Sequence, residues 1–313
     1  TPTIDIDQTG QRVVLDGVEF VFQHTPESEA PSEFVFYLPE KNALFGAEVV
    51  SRNMHNVLTL RGAKVRDALK WSGYIDETMQ LYPDAEVLVN SHHWPVWGKE
   101  SIASFLEGQR DTYKFIHDQS LRLANQGQTP VEIGDELELP ASLSGTFANR
   151  GYYGTTSHNA RAVYQHYFGF YDGNPANLNP LPPVEEARRY VDAMGGGERI
   201  LALANEAYAE GDYRWVARLL GHLVFAEPEN EAARHRLAQT YDQLGYQSES
   251  GPWRDIYLTG AFELRSQQPS AAVDVGRARG ILNAIPISGF LDALAVRIDP
   301  EKVEGEKRVF NFV

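Results

Sequence analysis

The apolar residues change their period once along this chain, and that change limits the fold more than any other feature. Over residues 12–50 they alternate or run in short blocks: Val13 to Leu15, Val18 to Phe22, Glu33 to Leu38 and Ala43 to Val50. Such blocks, bounded by turn residues, mean β-strands. Asp16-Gly17 between the first two predicts a two-residue hairpin turn. Next, Val65, Leu69, Ile75 and Met79 make one apolar face of a helix from Arg61 to about Tyr82, and Glu86 to Asn90 reads as a buried strand ending at Ser91-His92-His93. Strands alternating with a long helix indicate an α/β layer. It occupies only about 95 residues, few for a complete domain.

From about Lys99 the spacing lengthens and the chain becomes mainly helical, with candidate helices over 102–126, 161–171 and 184–194. Within 198–246, Ala204, Tyr208, Gly211-Asp212-Tyr213, Ala217 and Leu220 lead through Pro228 to Ala232, Leu237 and Tyr241. Small and aromatic residues at these spacings resemble tetratricopeptide helix pairs. One and a half such units cannot bury their own faces and must pack on the rest of the chain or on a partner. Residues 266–313 hold a further helical segment and end on Arg308 to Val313, an alternation that reads as a strand cut off at its end.

Composition narrows the function classes. The 313 residues, 42% of them hydrophobic, suffice for about two cored domains. A formal charge of −15 argues against nonspecific nucleic-acid binding, and no apolar run approaches the length of a membrane span. The absence of cysteine excludes disulfides, thiolate metal sites and a cysteine nucleophile. Acid excess with Arg far outnumbering Lys is expected of a protein working in high salt or of a GC-rich genome.

Carboxylates and histidines gather at strand ends in the first 95 or so residues. Glu29 sits in the loop Thr25 to Pro31, Glu48 inside an apolar strand, and His92-His93 at the end of another. An acid in an apolar strand faces solvent at an edge or is buried and paired. Two carboxylates and a histidine together suit a hard-to-borderline cation such as Zn²⁺, but they are too few for two ions.

Four runs carry a resemblance: Leu60-Arg61-Gly62-Ala63-Lys64-Val65-Arg66-Asp67-Ala68-Leu69-Lys70-Trp71, Ser91-His92-His93-Trp94-Pro95-Val96-Trp97-Gly98, Phe115-Ile116-His117-Asp118-Gln119, and Phe168-Gly169-Phe170-Tyr171-Asp172-Gly173-Asn174-Pro175-Ala176-Asn177-Leu178. In that order the chain resembles the alkyl sulfatases of the metallo-β-lactamase superfamily. The resemblance implies an α/β segment, part of a metallo-β-lactamase αββα layer, over 1–98. An all-α, tetratricopeptide-like dimerisation domain would follow over 99–262, and the start of a sterol-carrier-like α+β domain over 263–313. It implies a binuclear zinc hydrolase with two Zn²⁺ per site, an alkyl sulfate substrate, a homodimer and a periplasmic or secreted location. It also assigns Glu29 as the terminal carboxylate ligand of one zinc, Glu48 as the bridging carboxylate and His93 as a ligand of the other. His92 is expected to orient the turn.

The chain departs from the family in one respect. The His-x-His-x-Asp-His motif that supplies the remaining ligands is absent from its nine histidines. The resemblance therefore implies a longer polypeptide with that motif upstream, and residues 1–313 alone are expected to be inactive.

For the sulfate group, Arg61 at the start of its expected helix is a candidate, since an anion would relieve the conflict between its charge and the macrodipole. Asn149, Tyr153 and His158, from the loop 149–159, are further candidates, and His55 is a candidate general acid. Phe168, Phe170, Tyr171, Trp215 and Trp253 provide aromatic surface for a dimer or a private core. Competing functions are another hydrolase on the same scaffold, a phosphodiesterase or lactonase, and a non-catalytic helical assembly module.

Overall fold

A computed structural model of the chain describes residues 3–267, 285–307 and 309. The chain forms two units, residues 5–268 and residues 1–4 with 269–313.

The larger unit opens with the expected hairpin. Strands β1 (Arg12–Leu15) and β2 (Val18–His24) pair antiparallel about Asp16 and Gly17, whose φ angles of 49° and 82° are those of a type I′ turn. Strands β3 (Phe34–Leu38), β4 (Ala43–Phe45), β5 (Val87–Val89) and β6 (Val96–Trp97) complete a six-stranded sheet in sequence order. All pairs are antiparallel except β4 with β5. A parallel pair needs a crossover, and helix α1 (Ala68–Leu81) provides it.

The two sheet faces differ. Val35, Tyr37, Leu44 and Leu88 point toward α1 and are buried. On the opposite face Phe20, Phe22, Phe34, Phe36 and Phe45 form a continuous aromatic surface, with the Phe36 and Phe45 rings stacked at 4.6 Å. Phe34 there is 40% exposed.

Two expected elements stop short. The helix expected from Arg61 starts at Ala68, because the Asp67 carboxylate caps it by accepting the N–H groups of Leu69 and Lys70 at 3.0 Å. Gly62, at φ 89°, lies in a turn that no α-helix contains. Arg61 therefore occupies an exposed turn and not a helix start, and the macrodipole argument for it fails. The strand expected over 43–50 ends at Phe45, and Ala47 at φ 48° turns the chain so that Glu48 stands beyond the strand end.

Helices α2 (Lys99–Asn125), α3 (Pro130–Glu136), α4 (Ala141–Ser144) and α5 (Thr156–Phe168) follow. Ile102, Leu106, Tyr113, Ile116 and Leu123 of α2 join Trp71 and Ile75 of α1, together with Ala160 and Val163 of α5, in one core. That core runs straight through residue 98, where the sequence changes period, because a 27-residue amphipathic α2 covers the α1 side of the sheet. A second core forms among α6 (Pro183–Ala193), α7 (Gly197–Glu210), α8 (Tyr213–Ala226) and α9 (Glu231–Gln247), with Ile200, Val216, Leu220 and Leu237 at its centre. Helix α10 (Gly251–Ser266) packs on α9. Two-residue turns such as Gly211-Asp212 make these helices neighbouring hairpins.

The smaller unit contains α11 (Ile287–Ala295) and α12 (Pro300–Val303). The strand expected over 308–313 lies outside the described residues. Among the described residues no helix is long and apolar enough to cross a membrane.

Candidate metal centre at the strand ends

The parallel strands β4 and β5 end side by side, and the turns beyond them are bound together. Gly46 N–H donates to Val89 O at 2.8 Å, and Ser91 N–H donates to Ala47 O at 3.0 Å. A Cβ on Gly46 would stand 3.1 Å from Val50 Cβ and 3.2 Å from Leu88 Cδ1, so the turns approach this closely only with glycine there. In α/β sheets the crevice beyond the carboxyl ends of the strands is where ligands bind.

Three donor groups converge in this crevice. Glu48 Oε1 lies 3.0 Å from His92 Nε2, and Glu48 Oε2 lies 3.2 Å from His55 Nε2. One ligand atom from each residue falls within 4.8 Å of the others. His92 holds a left-handed φ of 68°, a strained conformation for a non-glycine residue. It sends consecutive histidines in different directions. His93 packs its ring against Trp94, Phe147 and Tyr152, and its Nδ1 is buried without a partner.

Glu29 enters from the β2–β3 loop and carries the charge of Arg66. The Arg66 guanidinium, almost fully buried, pairs with the Glu29 carboxylate, donates to Glu29 O and Asn56 O, and places Nη1 3.2 Å from His55 Nδ1. His55 Nδ1 also lies 3.2 Å from Asn56 O, so it stands between a donor and an acceptor, while Nε2 faces Glu48. Burial and the Arg66 charge push the His55 pKa down to about 4, so this imidazole is neutral at neutral pH.

Glu33 binds the two carboxylate-bearing segments to each other. Its Oε2 accepts the Ala30 N–H and its Oε1 accepts the Glu48 N–H, both at 3.1 Å. Burial, then the nearby Glu29 charge, raises its pKa to about 7. Burial also raises Glu29 despite Arg66, and Glu29 lies within hydrogen-bonding reach of Glu48. Burial alone would raise Glu48 as well, but its two histidines and Glu29 outweigh that effect and leave it below the ordinary carboxylate value. Three carboxyls crowded around the imidazoles of His55 and His92, with a buried His93 nitrogen nearby in sequence left without a partner, are a donor set suited to a divalent cation.

The substrate-group candidates divide. Tyr153 belongs with the cluster: its ring lies 4.8 Å from that of His55 and 5.5 Å from that of His92, and its hydroxyl has no hydrogen-bond partner among the described residues. Asn149 is buried, with its amide taken up by Leu143 O and Gln109. His158 has both ring nitrogens occupied, Nε2 by Leu58 O at 2.6 Å and Nδ1 by the Trp253 indole N–H at 3.2 Å. Arg61 is exposed and outside the cluster. Arg66 and Glu33 were not singled out from the sequence. Arg66 lies inside the quoted run 60–71, and no spacing ties it to Glu29, 37 residues away.

Residues 129–267 match the family described as alkyl sulfatase dimerisation. A linear primary-alkylsulfatase of a Pseudomonas species is 46% identical over 95% of this chain and 44% of its own length. An alkyl/aryl-sulfatase of Saccharomyces cerevisiae is 47% identical over 99% of this chain and 48% of its own. The solved structure of a stereoselective inverting sec-alkylsulfatase from a Pseudomonas species superposes with a TM-score of 0.92 at 46% identity, covering 97% of this chain and 48% of that one. The chain is similar to alkylsulfatases over nearly all of its length. It spans about half the length of the curated relatives it matches. The helical segment 129–267 thus carries a dimerisation-family match, and the strand-end cluster lies N-terminal to it.

Proposed function

We propose that this chain is the part of an alkyl sulfatase that supplies one side of a metal-dependent active site together with its dimerisation helices. The supporting observation is the strand-end cluster of Glu48, His55 and His92, with Glu29 beside Glu48, in a chain 46% identical to a linear primary-alkylsulfatase. The reaction is hydrolysis of an alkyl sulfate ester to alcohol and sulfate. On this reading the α/β segment is part of a metallo-β-lactamase layer, and the remaining ligands come from a His-rich motif outside residues 1–313.

Glu29 and Glu48 would hold zinc as carboxylate ligands, and His93 would contribute its unpartnered Nδ1. His92, already on Glu48, is the geometric competitor for that last place. When bound, two zinc ions supply Lewis acidity and a water ionised near neutral pH. The protein's own groups do the rest. Neutral His55, its Nε2 turned toward Glu48, is placed to donate a hydrogen bond or proton toward a leaving alkoxide. The Tyr153 hydroxyl, without a hydrogen-bond partner among the described residues, offers a donor to the sulfate group. The exposed aromatics Phe168, Phe170 and Trp215 would bury themselves in a homodimer.

The full-length protein tests this directly. It should release equal amounts of alcohol and sulfate from dodecyl sulfate, carry two zinc ions per chain, and turn over phosphate esters poorly. Failure to hydrolyse dodecyl sulfate when zinc-loaded, or preference for a phosphodiester or lactone, overturns the reading. Zinc content of His92→Ala and His93→Ala decides between the two histidines.

A further inference from the structure

A cleft of about 370 Å³ opens between α5 and α10, with the loop after His55 along one side. Its size is that of small-molecule sites. Leu58, Leu60, Ala162, Trp253 and Ile256 give it apolar walls. The one cation among its lining residues is Arg161, half-buried, with its guanidinium carbon 5.3 Å from the Trp253 ring centre.

Arg161 is built into place but not neutralised. Its Nε donates to Ser157 O and its Nη2 to Ser157 Oγ, both at 3.3 Å, and no carboxylate of the described residues pairs with it. Asp135, a nearby acid, is already paired with Arg214 at 2.9 Å. Room for the arginine exists because residue 134 is glycine: a Cβ there would stand 3.0 Å from Arg161 Nε and 3.1 Å from its Cγ. A half-buried guanidinium with unfilled donors beside apolar walls is open to an anionic partner. The other polar ring in the cleft, His158, has both nitrogens occupied and does not compete.

We infer that the α5–α10 cleft is a binding site for a single-chain anionic amphiphile, its head on Arg161 and its alkyl chain along Leu58, Leu60, Trp253 and Ile256. The stacked indole holds the guanidinium plane fixed, and the apolar walls supply the attraction for the chain. The site is distinct from the strand-end cluster, with which it shares none of its lining residues. It does not depend on the catalytic reading, since nothing in its chemistry requires metal or turnover.

The test uses the full-length protein and decanesulfonate, whose carbon–sulfur bond is not an ester, below its micelle concentration in a calorimeter. Expected is one equivalent of binding per chain that persists after metal is stripped from the protein with a chelator, and that Arg161→Met and, separately, Ile256→Glu each weaken at least about tenfold. Ile256 is 55% exposed, so its substitution leaves folding intact and keeps the inference testable if the arginine variant does not fold. Decyltrimethylammonium and methanesulfonate, which keep the chain or the head alone, should not fill this site. Binding as tight as wild type in folded Ile256→Glu, no binding to the wild type, or equal binding of decyltrimethylammonium overturns the inference. Sulfate release measured in parallel judges the catalytic reading independently.

Discussion

Arg66 sets the charge balance of the strand-end cluster. It neutralises Glu29, holds the carbonyl of Asn56 and sets its guanidinium against His55 Nδ1. Removing one partner of a buried ion pair leaves an uncompensated charge. We expect Arg66→Met to lower the stability of the metal-free protein by on the order of 3–5 kcal/mol in denaturant unfolding, whereas exposed Arg12→Met, which loses only a solvated pair with Glu19, should change it little. Glu33 works at the same scale with smaller stakes. Glu33→Leu frees two backbone N–H groups and should cost about 1–3 kcal/mol; on the proposed reading it should also reduce divalent-metal affinity in a chelator competition, since the spacing of Glu29 and Glu48 is no longer fixed. Glu48 and the histidine pair stood out in the sequence because an acid in an apolar run and histidines at a strand end are locally anomalous, but the expectation picked His93, whereas His92 is the one that meets Glu48. Arg66 and Glu33 did not stand out, because each acts on a segment far from it in the chain, through contacts that exist only once β3, β4 and the 53–66 loop have met.

Among the elements, α5 bears most directly on the site. Its N-cap Thr155 accepts the His158 N–H, and its first turn then grips the 54–59 loop: His158 through Leu58 O, Asn159 through Val57 N–H and His55 O. Gly154, just before the cap, donates to Met54 O at 2.7 Å, and a Cβ there would stand 2.5 Å from His55 O. Gly154→Ala should therefore displace His55 and depress both stability and turnover. Gly108→Ala, in the middle of α2 with its nearest neighbour at 3.7 Å, should instead gain roughly 0.5–1 kcal/mol from helix propensity. Burial holds the His158 imidazole below its ordinary value of 6.5, so the unfolded chain takes up a proton that the folded one refuses. The His158 contribution is fully present above that value and declines as pH falls below it. His158→Gln should flatten that part of the stability–pH curve in thermal melts. The periods of the sequence placed β1, β2, α2 and α6 to within a few residues. They missed the starts of α1 and α5, where a cap and not apolar spacing sets the boundary.

At the scale of the molecule, the change of period at residue 98 is not a break in packing. One core joins sheet, α1, α2 and α5, and the second begins only with the helical hairpins from α6 onward. Phe170, 86% exposed, together with Phe168 and Trp215, is where the proposed homodimer would place a second copy. Phe170→Asp should shift the full-length protein from dimer toward monomer in sedimentation at micromolar concentration. An unchanged dimer would assign these aromatics elsewhere. The aromatic face of the sheet, Phe20 to Phe45, was legible only as alternation. That both faces of the strands are apolar, one buried under helices and the other with Phe34 still exposed, became visible once the sheet was assembled.

The grip of α5 on the 54–59 loop also bears on how such proteins can be recombined. A helical region exchanged for that of a relative would bring its own Gly154, His158 and Asn159 equivalents to backbone atoms it did not evolve against. Chimeras cut at the change of period should thus lose catalytic geometry even when both halves fold. Those cut after α5, where the grip stays with its loop, should keep it.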